Sequence, residues 1–116
     1  MIDWNAYHRE LLDRIGELGR LSPDTLKGYM TLSAAGNATG RLTPKIRELI
    51  ALAVAVTSRC DGCITVHADA AFKHGATKEE VSEALGVAVA LNAGAAMVFS
   101  ARALDALAAK QGQGAR

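Results

Sequence analysis

The sequence predicts an all-α fold of about five to six helices in a single domain, residues 1–116, that assembles as a homo-oligomer. Three observations carry this. Good helix formers dominate, and no stretch alternates polar and apolar residues between turn signals as a strand does. Hydrophobic residues make up 50% of the chain but aromatics only 4%, so the interior is built from Ala, Val, Leu and Ile, which let helices approach closely. The 116 residues allow one small core, yet "LIALAVAV" and "ALGVAVALNAGAAMVF" are apolar all round, more than so short a chain easily covers by itself.

The elements follow in order. Asp3 caps a first helix to about Gly19, with Tyr7, Leu11, Ile15 and Leu18 along one face. Ser22 and Pro23 are an N-cap and first helical residue, opening a second helix that fades near "SAAGNATG"; residues 33 to 42 read as a loop. Thr43 and Pro44 repeat that start signal for a helix through Leu49 to Val56, apolar on every side and therefore central or covered by a neighbouring subunit. From Cys63 to Lys73 the pattern is helical again, with Gly75 placed to terminate it. Thr77 and Glu80 form a capping box that starts a helix through Val81, Leu85 and Val89. Asn92 to Gly94 are expected to break it before a last helix to about Ala109, and the tail "KQGQGAR" reads as frayed.

Charge narrows the function classes. Thirteen Lys and Arg against twelve Asp and Glu give +1, spread without a basic block, so no nucleic-acid or membrane-surface partner is indicated. The apolar run from Ala84 to Phe99 is shorter than the roughly 20 residues of a spanning helix. The N-terminus "MIDWNAYHRE" lacks an apolar signal core, so a cytoplasmic location is expected.

The chemistry concentrates in "RCDGCITVH", residues 59 to 67. Cys60 and Cys63 are the only cysteines, and a pair this close can exchange electrons with a substrate, hold a metal or simply pack. In a reducing compartment a disulfide there is transient and catalytic rather than a permanent staple. On a helix, Cys60, Cys63 and His67 share one face, and the positive end of the backbone dipole favours thiolate, the reactive form. A thiolate can attack a peroxide O–O bond and become a sulfenic acid, which the second thiol condenses to a disulfide, with His67 handling the proton. The redox reading needs no cofactor. Zinc would instead recruit Cys60, Cys63, His67 and Glu48 or Asp61. Glu48 stands at the mouth of the apolar run, where partial desolvation suits proton exchange or where it simply complements the helix dipole. His74, at a helix end, reads as a dipole partner, and His8 as solvated.

A Glu, a CxxC twelve residues on, a His four residues past the second Cys and then "HGATKEEVSEAL" together resemble the alkylhydroperoxidase AhpD-like, carboxymuconolactone decarboxylase superfamily, over about Leu42 to Leu107. The resemblance implies an all-helical fold in trimers or hexamers. It implies a peroxidase acting on hydrogen peroxide or organic hydroperoxides, in which Cys63 attacks, Cys60 resolves, and Glu48 and His67 relay the proton. It further implies a lipoylated or thioredoxin-like reductant. The sequence departs at Gly62, where AhpD has a second relay histidine. Decarboxylase members act on a lactone without the CxxC, so its presence argues for the thiol branch; a redox-sensing or zinc-holding module, or a same-fold enzyme on another substrate, is the alternative.

Overall fold

A computed structural model describes residues 1–112. It contains α1 (Trp4–Leu21), α2 (Pro23–Ser33), α3 (Ala35–Thr39), α4 (Pro44–Ser58), α5 (Asp61–Lys73) and α6 (Lys78–Lys110), and no strand among the described residues. Local side-chain chemistry sets most of the starts. Asp3 Oδ1 accepts from the Ala6 N–H, Thr43 Oγ1 from the Ile46 N–H, and Thr77 and Glu80 satisfy each other's backbone donors in a capping box. Pro23 and Pro44 occupy first helical positions, where a missing N–H costs nothing. Ser22 departs from its expected part: its hydroxyl pairs with Thr25 Oγ1 at 2.6 Å and caps no backbone group. Gly75, at φ 81°, takes the left-handed conformation that ends α5.

The α4 helix is the hub, packing on both α5 and α6, while α1 packs on α2 and across α5. Helix α4 supplies buried Leu52 and Ala55, which with Thr65 and Ala71 of α5 and Ala88 of α6 make up a small core of mostly short side chains. That helix is not covered on every side: Ile50 and Val54 of the apolar run lie open.

Four features differ from the sequence reading. The first helix runs to Leu21, and α5 begins at Asp61 rather than Cys63. Inside the expected loop from 33 to 42 lies the short helix α3, held from outside by Arg47 of α4. Arg47 Nη1 donates to the carbonyls of Gly36 (3.3 Å) and Leu42 (2.6 Å), and Nη2 to Asn37 Oδ1 (2.9 Å). The expected break at Asn92 to Gly94 is absent, and α6 runs unbroken for 33 residues. Asn92 does not compete with its helix because its Nδ2 is committed to Ala88 O (2.7 Å) and to Thr57 Oγ1 on α4 (2.9 Å). Of the tail, Lys110 closes α6 and residues 113–116 lie outside the described residues.

The second half of α6 projects beyond the bundle, with Met97, Val98, Phe99 and Leu104 all exposed. By length and composition the helix could cross a bilayer.

Candidate functional site

The site is a helical hairpin. Between α4 and α5 the chain turns through Arg59 and Cys60 alone. Arg59 adopts the left-handed conformation (φ 54°, ψ 50°), an unusual state for a residue with a Cβ, and costs of order 1 kcal/mol. That step brings the Cys60 N–H to Ala55 O at 3.1 Å and makes Cys60 the N-cap of α5. Its Sγ accepts from the Cys63 N–H at 3.2 Å, so a sulfur does the work usually given to a cap oxygen. Cys60 and Cys63 are joined as a disulfide, with Cα atoms 5.2 Å apart.

From this turn α4 and α5 run antiparallel. Glu48 lies seven residues before Ala55 and His67 seven residues after Cys60, so equal steps down the two helices bring them opposite each other. His67 Nδ1 and Glu48 Oε2 meet at 2.6 Å, the side chains 27% and 21% exposed. A carboxylate at this distance fixes the imidazole's orientation and leaves Nε2 for chemistry. Cys63 lies one turn before His67 on the same face of α5, about 6 Å along the axis. The structure thus joins the four residues singled out in the sequence as two pairs: the sulfurs at the turn, and the imidazole one turn further along α5 with its carboxylate partner. Glu48 is neither a cap nor a bare dipole partner; its partner is the imidazole.

Among the described residues no three His, Cys, Asp or Glu side chains stand together as a metal-binding group. His74 is the C-cap of α5, as read, whereas His8 is half-buried rather than solvated.

Helix α1 contributes what sequence reasoning missed. Buried Thr65 donates its hydroxyl to Trp4 O at 3.3 Å, tying the start of α1 to α5. One turn along each helix, in opposite directions, Tyr7 and Leu11 reach Gly62. A Cβ on Gly62 would stand 3.1 Å from Leu11 Cδ2 and 3.8 Å from the Tyr7 hydroxyl. A side chain there would need Leu11 to give way, and Tyr7 and Leu11 also line a shallow open depression on α1.

An all-helical hairpin presenting a CxxC beside a Glu–His pair defines an AhpD-like protein, and the chain belongs to the carboxymuconolactone decarboxylase family, which residues 23–106 match. This carries the likeness back from Leu42 to the start of α2 and leaves α1 outside it. Uncharacterized proteins are similar over most of their length: one of Haemophilus influenzae is 48% identical over 104 residues, covering 90% of this chain and 92% of the relative. Another, of Paracoccus denitrificans, described as uncharacterized protein 4 in cox locus, is 37% identical over 93 residues (80% and 84%). Among solved structures, a protein from Methanobacterium thermoautotrophicum shares the fold with a TM-score of 0.69 at 30% identity, covering 77% of this chain and 97% of that one.

Proposed function

We propose that the protein is a thiol peroxidase of the AhpD type that reduces hydrogen peroxide or organic hydroperoxides through Cys60 and Cys63. The observation that carries this reading is the Glu48–His67 pair at 2.6 Å, one helical turn from a CxxC closed as a disulfide. A purely structural disulfide needs no buttressed imidazole beside it.

In the reduced protein the Cys63 thiolate attacks the hydroperoxide. The O–O bond breaks, Cys63 becomes a sulfenic acid, and the departing alkoxide takes a proton from the His67 imidazolium, whose charge Glu48 stabilises. The Cys60 thiol then attacks the sulfenic sulfur, forming the disulfide and releasing water. Two electrons and two protons from a dithiol, by the family likeness a lipoylated or thioredoxin-like protein, restore the pair. The same reading takes the working form as a homotrimer or homohexamer.

The test is intact mass with thiol counting and metal analysis, before and after one equivalent of peroxide. Loss of two hydrogens in a metal-free protein is expected; bound zinc with inert thiols rejects the reading. Position in the helix favours Cys60 as the more activated thiol, because its sulfur is at the cap, whereas proximity to His67 favours Cys63. In Cys60→Ser a sulfenic-acid trap is expected to label Cys63, while Cys63→Ser consumes no peroxide. Label on Cys60 of the Cys63→Ser variant reverses the roles.

A further inference from the structure

We propose that the groove between α5 and α6 receives the second half of α6 from another copy of the chain, a contact that does not depend on what the cysteines do. Among the described residues α5 and α6 each pack on α4 but not on each other. The gap between them is an apolar groove with Leu52 and Val56 of α4 at its floor. Ile64, Ala68 and Phe72 of α5 line one side, and Val81 and Leu85 of α6 the other. Phe72 is 80% exposed there, a large apolar surface with no neighbour upon it.

The chain itself carries an occupant of matching chemistry and size. Every residue from Val89 to Leu107 is exposed, and of these only Arg102 and Asp105 are charged. A helix apolar on nearly every side is stable where something encloses it. Met97, Ala101 and Leu104 recur at i, i+4 and i+7 along a stripe about 10 Å long, and Ile64 to Phe72 span about 12 Å, so the groove has room for two helical turns. The chain cannot fill its own groove. Because α6 is unbroken, Met97 stands about 18 Å further along the axis than Leu85 and points away from it. A bilayer suits the segment poorly: Ala88 is already buried in the bundle, so the roughly 20 residues of a spanning helix would carry Arg102 and Asp105 into hydrocarbon. The area agrees with a second copy. The protomer's 9041 Å² exceeds that of a compact monomer of its mass by about 3,000 Å², of the order that an obligate interface removes. Groove and helix are different patches, so each copy both lends a helix and houses one.

The experiment mixes two variants of the full-length protein. Phe72→Asp puts a charge in the groove and leaves α6 intact, whereas Leu104→Asp puts one on the helix and leaves the groove intact. Burying an unpaired carboxylate is expected to weaken the seat at least about 100-fold, so each variant alone should sediment as a monomer at a concentration where the parent is assembled. Mixed one to one, the intact helix of the first should enter the intact groove of the second and give a complex containing both. If a variant alone also loses helix content by circular dichroism, the mixture should regain it together with mass. Either variant assembling as the parent does overturns the proposal, and with Phe72→Asp it means that the α6 helices pack on one another instead. Monomers that stay apart on mixing also overturn it, because groove and helix then do not face each other. So does a parent that is monomeric, or soluble only in detergent, the latter assigning α6 to a bilayer. None of these outcomes touches the peroxidase reading, which thiol counting decides.

Discussion

Glu48 and His67 form one hydrogen-bonded unit, so their substitutions are not expected to add. General acid–base help of this kind is worth about 10² to 10⁴ in rate. His67→Ala and Glu48→Gln should each slow peroxide oxidation of the reduced pair within that range, the double variant no more than the worse single one. Second-order rate constants with one alkyl hydroperoxide across the neutral range check this; rates matching the parent, with assembly unchanged, make both residues structural. Gly62 carries a different expectation. A histidine there would restore the relay residue of AhpD by composition, but its Cβ would meet Leu11 Cδ2 at 3.1 Å. Gly62→His is expected to lower stability by about 1–3 kcal/mol, the ordinary cost of overpacking, and not to accelerate turnover. A urea midpoint equal to the parent's, with faster oxidation, would show that α1 can move aside. The four motif residues were legible in the sequence because α4, the turn and α5 are contiguous, so spacing alone sets their register. Tyr7 was not, because its place at Gly62 depends on how α1 crosses α5.

Helix starts were the most legible elements. Asp3, Thr43 and Thr77 each cap through a hydrogen bond three residues long, and such bonds depend on nothing distant. The misses needed distant groups: α3 is held by Arg47, and α6 stays whole because Asn92 is engaged with Thr57. The start of α6 carries a pH dependence. Lys45 Nζ, 2.9 Å from Glu80 Oε2, and then the Thr77 N–H hold the Glu80 carboxyl below the ordinary value of 4.5. A depressed carboxyl stabilises the fold above its unfolded value and ceases to as pH falls through the folded one. The parent should therefore exceed Glu80→Gln in thermal midpoint at neutral pH, and the gap should close below about pH 4.5. A gap that persists in acid would assign the effect to cap geometry rather than charge.

At the scale of the whole molecule the protomer is too open for its length. Its radius of gyration is 19.5 Å, whereas a compact chain of this size has roughly 13 Å. Its accessible surface is 9041 Å², against about 6,000 Å² for a compact monomer of this mass. The excess of about 3,000 Å² is of the order that obligate interfaces remove, and the exposed apolar residues of α6 contribute to it. We expect other copies of the chain to cover it, and light scattering at micromolar concentration should return a trimer or hexamer. A detergent-free monomer removes the oligomer; a species soluble only in detergent or with vesicles assigns α6 to a bilayer instead. The projection of α6 also bears on how the fold responds to being spread thin. When part of the hydrophobic interior is supplied by neighbours, unfolding is coupled to dissociation, and stability depends on total chain concentration. Dilution then acts as a denaturant. Between about 1 and 100 µM the melting temperature should climb steadily, and refolding should include a phase whose rate depends on concentration. A melting temperature flat across that range would mean that the chain stands on the core it has.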